Sequence, residues 1–201
     1  MKLIGQYDSP FVRRVAISLK ILGFEFEHVP LSVFRNADSF KLYNPLLKAP
    51  TLVLSDGQTL SDSSFILDYL DQRVPERRLV PAAGPERLAA LQTLSVALVA
   101  SEKAVMLVYE TKMRPANLHH LPTIERVRGQ VVTALGMLDD RLPFAVTTGG
   151  HLDQVAITSA VAYRYVCHVA PELTGHGRHS RLASLSATCE QLPSFLSARL
   201  E

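Results

Sequence analysis

Met1-Lys-Leu-Ile-Gly-Gln-Tyr-Asp-Ser-Pro-Phe11 reads as a strand, a turn and a helix start in quick succession. The apolar pair Leu3-Ile4 gives way to Tyr7-Asp8. Ser9-Pro10 then opens a segment carrying Val12, Val15, Ala16, Leu19 and Leu22. That i, i+3, i+4, i+7 spacing predicts a helix with one buried face. Pro10 suits the first helical position, where no backbone N–H is needed and φ is already near the helical value. Ser9 falls at the helix entrance, its hydroxyl beside N–H groups that have no partner inside the helix. A hydroxyl at the positive end of a helix is suited to holding a thiolate.

Working outward, Gly23 ends the helix in the usual stop position. Glu25-Phe-Glu-His-Val29 alternates with period two and reads as a second strand, closed by Pro30. Ser39 to Tyr43 is expected to form a short helical turn before Asn44-Pro45. Thr51-Leu-Val-Leu54 and Gln58-Thr-Leu60 flank Ser55-Asp56-Gly57, where Asp-Gly is a strong hairpin signal. Phe65, Ile66, Tyr69 and Leu70 are expected on one face of a helix that starts near Ser63. The order βαβαββα predicts a small mixed α/β sheet with helices packed on it.

After Val74 the texture changes. Pro75, Pro81, Gly84 and Pro85 mark a linker at 76–85, between a first domain at 1–75 and a second at 86–201. The second domain reads as all-α. Leu88, Leu91, Leu94, Leu98, Val105, Met106 and Tyr109 trace a long helix that Arg114-Pro115 stops. Ile124, Val127, Val131, Leu135 and Leu138 trace another, and Asp153 caps a third that runs through Ile157, Ala160, Val161 and Tyr165. Leu152 and Ile157 around that cap read as a hydrophobic staple, although Ala156 stands where a capping box would have an acid. Shorter helices are expected over 180–190 and 193–200.

The 201-residue chain is 47% hydrophobic and 20% charged, the composition of a globular protein with a sizeable core. It has no uncharged apolar run of about 18 residues or more, which argues against a membrane span. The N-terminus reads as a strand and not as a signal or transit peptide. Cys167 and Cys189 are too few for a disulfide framework, so a reducing cytoplasm is the expected location. A net charge of +2 gives no argument for nucleic acid. His168, His176 and His179 lack the carboxylate or cysteine partners of a metal site and read as loop histidines, as do His119 and His120; no metal is expected.

Three motifs that span the first domain resemble those of glutathione transferases. Tyr7-Asp-Ser-Pro-Phe-Val-Arg-Arg-Val15 resembles the catalytic-serine turn of the bacterial, theta-like and zeta-like members. Asn44-Pro-Leu-Leu-Lys-Ala-Pro-Thr-Leu52 resembles the family's N-P-x-G-K-V-P-x-L segment. Leu60-Ser-Asp-Ser-Ser-Phe-Ile-Leu-Asp-Tyr-Leu70 resembles L-x-E-S-x-x-I-x-x-Y-L. The resemblance implies a thioredoxin-like βαβαββα domain followed by a helical bundle domain. It also implies a cis bond before Pro50, with the N–H and C=O of Ala49 pairing strand-like with the cysteine backbone of glutathione. Asp62 and Ser63, at a helix N-terminus, would hold the γ-glutamyl end, and Lys48 would meet another carboxylate. Phe11 joins this set. The chain departs from the pattern at Leu47, where glycine is common and leucine threatens to crowd the loop, and at Ala49, where valine is common.

The chemistry implied is thiol activation. A cysteine thiol with a pKa of about 8.5 is mostly protonated at neutral pH, and only the thiolate is a good nucleophile. Lowering that pKa by about two units takes roughly 2.7 kcal/mol. A hydrogen bond to a charged group supplies about 1.5–3 kcal/mol. Ser9 would therefore act as an electrostatic stabiliser, not as a nucleophile or base. Tyr7 competes for the role, because other classes use a tyrosine near this strand end; its place favours packing or a pocket wall. Tyr7, Phe11, Met106, Tyr109 and Tyr163 are candidates for the electrophile pocket, which lies between the domains in the family.

Arg13 and Arg14 oppose the dipole at the helix start. They read as a solvated face with long stems over apolar surface, or as support for an anionic ligand or a dimer contact. The resemblance implies a cytosolic homodimer with the helix from Ser63 and the long helix after Pro85 near the two-fold axis. Its expected reaction is attack of the glutathione thiolate on a small hydrophobic electrophile, in detoxification or catabolism. The alternatives are glutathione-dependent peroxide or disulfide reduction, and a non-catalytic module that binds a protein such as RNA polymerase.

Overall fold

The computed structural model describes residues 1–142, 152–175 and 177–200. The first unit comprises Met1–Ala82 together with Leu192–Glu201, and the second Ala83–Gln191. The last residues, counted with the helical half in the sequence reading, thus pack with the first helix of this unit. Arg13 gives the physical reason: its Nε donates to the Ala198 carbonyl at 2.7 Å, and its guanidinium lies over the Phe195 ring.

In the first unit β1 (Lys2–Ile4), α1 (Pro10–Ile21), β2 (Glu27–Val29), α2 (Ala37–Lys41), β3 (Thr51–Val53), β4 (Thr59–Ser61) and α3 (Ser63–Arg73) follow one another. The strand order is β2-β1-β3-β4, parallel between β1 and β2 and antiparallel elsewhere. Leu3 faces His28 on one side and Leu52 on the other. The apolar face predicted for α1 is buried in full, from Val12 to Leu22. Gly23 ends it in the left-handed region at φ 76°, and Gly57 turns the β3–β4 hairpin at φ 85°. On α3 the buried face is Ile66, Leu67 and Leu70, whereas Phe65 is 67% exposed. The expectation that Phe65 and Tyr69 share one face with Ile66 and Leu70 is therefore corrected; the Tyr69 hydroxyl accepts from Arg73 at the surface.

Gly5 is the one glycine the site depends on. It sits at φ 136° where β1 meets α1, and a Cβ there would lie 2.6 Å from Val12 Cγ2 and 3.3 Å from Ala49 Cβ. Only a residue without a side chain lets the strand end, the helix and the loop before Pro50 come this close. Asp71 closes the unit by accepting from the N–H groups of Leu79 and Val80 at 2.9 and 3.0 Å.

The second unit is helical: α4 (Gly84–Val108), α5 (Leu121–Arg141), α6 (Gln154–Val169), α7 (Ser180–Cys189). The four-residue α8 (Pro193–Leu196) returns to the first unit. A π-helical turn, Tyr109–Met113, continues α4. The buried stripe of α4 is Leu94, Ala97, Ala100, Ser101, Ala104 and Leu107, while Leu88 and Leu91 of the same predicted helix are exposed. Small side chains along this stripe let α5 and α6 pack closely on it. Gly84–Met113 is long and apolar enough to cross a membrane by length and composition, and about a third of that apolar window is buried, where α5 and α6 pack on it. Asp153 caps α6 as predicted, accepting from Ala156 N–H at 2.7 Å.

Candidate functional site

Ser9 caps α1 in an extended conformation, and its Oγ accepts from Val12 N–H at 3.4 Å. No acceptor for its hydroxyl proton lies among the described residues, so the proton is available to a ligand at the positive end of the helix. Tyr7 is buried and stacked on His28, ring centroids 3.9 Å apart and planes 4° apart. His28 Nε2 in turn lies 2.8 Å from the Gly5 carbonyl oxygen. The Tyr7–His28 stack braces this turn, and Phe11 is half-buried.

The loop before β3 is built around the buried Asn44. Its Oδ1 accepts from Leu46 N–H at 3.0 Å, and its Nδ2 donates to Thr51 Oγ1 at 2.9 Å. Thr51 Oγ1 donates to the Lys48 carbonyl at 2.7 Å. These bonds fix both ends of Lys48-Ala-Pro50, and the Ala49–Pro50 bond is cis. Neither the N–H nor the C=O of Ala49 meets a partner among the described residues. Leu47 occupies the left-handed region at φ 52°, which explains why glycine suits this position. The departure is thus one of backbone conformation more than of crowding.

Asp62 caps α3 with φ 68° and accepts from Ser64 N–H at 3.0 Å, while Ser63 is buried behind it. Lys48 Nζ reaches to 3.6 Å from Asp62 Oδ2, bringing the second and third motifs together. Arg13 and Arg14, read either as a solvated face or as support for an anionic ligand or a dimer contact, are both buried, at 1% and 3% exposure, which removes the solvated-face reading. Arg13 is taken up by the C-terminal segment. Burial pushes the Arg14 guanidinium down to about 10, against the pull of the Asp62 carboxylate. The burial of these two cations went unread in the sequence, where adjacent arginines look like surface; their place opposite the dipole was the only signal.

In the second unit Met106 is half-buried and Tyr109 is 44% exposed on the π-helical turn. Tyr163 is buried, edge-on to His179, and burial beside Cys167 pushes its phenol up to about 12. Cys167 is half-buried, while Cys189 is buried and its thiol is pushed up to about 12. His168, His119 and His120 are at least partly exposed, His179 is half-buried, and His176 lies outside the described residues.

Residues 3–78 match the family described as glutathione S-transferase, N-terminal domain. The uncharacterized GST-like protein YibF of Escherichia coli is 30% identical over 173 residues, covering 85% of each chain. The chain belongs to the glutathione S-transferase family. Two solved family structures are alike over almost the whole length. A glutathione S-transferase from Methylobacterium radiotolerans, in complex with glutathione sulfonate, shares 29% identity at a TM-score of 0.89, covering 98% of this chain and 93% of its own. A glutathione transferase family member from Pseudomonas fluorescens, with bound glutathione, shares 29% identity at a TM-score of 0.86, covering 100% and 98%. The thioredoxin-like sheet followed by a helical part is thereby the fold of this glutathione S-transferase family member.

Proposed function

We propose that the chain binds glutathione in its first unit, ionises the thiol beside Ser9 and delivers the thiolate to a small hydrophobic electrophile. The observation that carries this reading is the Ser9 hydroxyl, whose proton has no acceptor among the described residues at the entrance of α1. The relatives solved with glutathione and glutathione sulfonate support the choice of ligand. Ala49 offers its N–H and C=O to the cysteine backbone of the peptide. Asp62 receives the γ-glutamyl ammonium, Ser63 and the start of α3 receive its carboxylate, and Lys48 turns to the glycine carboxylate. Water-exposed thiols lose their proton near pH 8.5; one charge-assisted hydrogen bond of about 1.5–3 kcal/mol brings ionisation into the neutral range.

We place the working form as a homodimer. Phe65 on α3, and Leu88, Leu91 and Val99 on α4, are exposed apolar side chains. An apolar cleft of about 460 Å³ between α4 and α5, lined by Val96, Val99, Ala134 and Met137, supports the same reading. Calorimetry with glutathione tests the ligand, and turnover of aromatic halides against peroxides tests the reaction. Binding with halide conjugation is the expected result. Peroxide turnover alone would favour reduction, and no binding at millimolar glutathione would favour a non-catalytic role.

A further inference from the structure

A hydroxyl that donates to a sulfur must be held in place, and the cap bond of Ser9 does not hold it. Val12 N–H lies 3.4 Å from Oγ, beyond the roughly 2.7–3.2 Å of a well-formed N–H···O bond. Catalytic groups need placing to within about 0.5 Å, and an error of about 1 Å costs on the order of a hundredfold in rate. The turn from Gly5 to Ser9 therefore has to aim the hydroxyl, and β2 grips that turn at its start. Gly5 N–H donates to the Val29 carbonyl at 3.0 Å, and the Gly5 carbonyl lies 2.8 Å from His28 Nε2. A carbonyl oxygen only accepts, so Nε2 carries the proton. His28 stands opposite Leu3 in the parallel register, and its ring reaches forward past the end of β1.

The same ring lies flat on Tyr7, with centroids 3.9 Å apart. One side chain thus holds the beginning of the turn by a hydrogen bond and its middle by a stack. The far end is closed by Ser9 N–H, which donates to the Gln6 carbonyl at 3.1 Å. An apolar strand residue in place of His28 would leave the Gly5 carbonyl without that donor. The loop of Ala49 has supports of its own in Asn44 and Thr51, so it does not depend on His28. We propose that His28 is a positioning residue for thiol ionisation: through the Gly5 carbonyl and the Tyr7 ring it aims the Ser9 hydroxyl at the glutathione sulfur. The thiol proton passes to solvent, and His28 exchanges none. The inference rests on the glutathione reading and adds to it the group that sets the serine.

The test compares wild type, His28→Phe, which keeps a stack without the donor, and His28→Gln, which keeps a donor without the ring. Calorimetry at about pH 5 reads affinity for glutathione with its thiol protonated, and ultraviolet absorbance against pH reads ionisation of the bound thiol. His28→Phe is expected to raise the thiol pKa by about one unit while affinity stays within about threefold of wild type. His28→Gln is expected to recover at least about half of that shift. Nitrogen-15 NMR of the wild-type imidazole is expected to find the proton on Nε2, a measurement that needs no variant to fold. A ring protonated on Nδ1 alone overturns the proposal. So does a His28→Phe protein that titrates with wild type, or one that also loses about tenfold in affinity, the mark of a general disturbance. Wild type that does not bind glutathione, or that leaves the bound thiol at its free value, overturns the glutathione or serine reading and the inference with it.

Discussion

Lys48 Nζ lies 3.6 Å from Asp62 Oδ2, tying the loop before β3 to the cap of α3. Both side chains are about half exposed, and an exposed pair of this kind contributes at most about 1 kcal/mol. Such a pair is easily exchanged for contacts to a zwitterionic ligand. Lys48→Ala is therefore expected to change stability by less than about 1 kcal/mol and to weaken glutathione binding by about five- to tenfold. Urea unfolding and calorimetry read the two effects. Unchanged affinity would remove Lys48 from the site.

Arg13 holds the C-terminal segment. Its Nε–H bond to Ala198 is buried, and its guanidinium sits 5.6 Å from the centre of the Phe195 ring. Arg13→Ala leaves a buried carbonyl without its donor and removes the cation from the ring. The expected loss is about 2–4 kcal/mol, seen as a lower urea midpoint. A change below about 0.5 kcal/mol would show that the segment is held by other contacts.

How far the sequence could be read divides along the range of the interactions. The α1 start was legible because Ser9-Pro10 and the apolar spacing to Leu22 are local signals, and so was the hairpin at Asp56-Gly57. The third motif located Asp62 and Ser63 at a helix start by resemblance, and the cap bond to Ser64 is again local. The docking of residues near Ala198 onto α1 was not legible, because it depends on one guanidinium reaching across the whole chain. Arg14 looked like surface, since nothing in a pair of adjacent arginines says that both turn inward. Leu91 and Phe65 were read into helices from periodicity, which identifies an element without saying which of its side chains are covered.

Leu47 stands at φ 52°, a region that costs an L-residue roughly 1–2 kcal/mol. Glycine relieves that cost and gives back about 0.5–1 kcal/mol in chain entropy. Leu47→Gly is expected to be neutral or to stabilise by up to about 1 kcal/mol, whereas Leu47→Val, β-branched, is expected to destabilise. A denaturation series that ranks valine above glycine would contradict the backbone account.

His179 caps α7 in the left-handed region, and its Nδ1 is buried without a partner among the described residues. Burial lowers its pKa from the usual imidazole value; Asp139 opposes the shift and Arg178 adds to it. The unfolded chain therefore binds this proton more readily than the folded one. Stability is full above the unfolded value of about 6.5 and falls as pH drops through the folded value. His179→Asn tolerates the same φ and is expected to flatten the decline in melting temperature below about pH 6.5. An identical decline in the variant would place the acid sensitivity elsewhere.

The account turns on Ser9 as a donor to the glutathione sulfur. Its direct measurement is the ultraviolet absorbance of the bound thiolate as a function of pH, in wild type and in Ser9→Ala. Wild type is expected to titrate about two units below the free thiol value of about 8.5, and the variant to return most of the way to it. Loss of the cap itself is expected to cost about 1 kcal/mol of stability, leaving the variant folded. A folded, glutathione-bound Ser9→Ala that titrates with wild type would contradict the assignment.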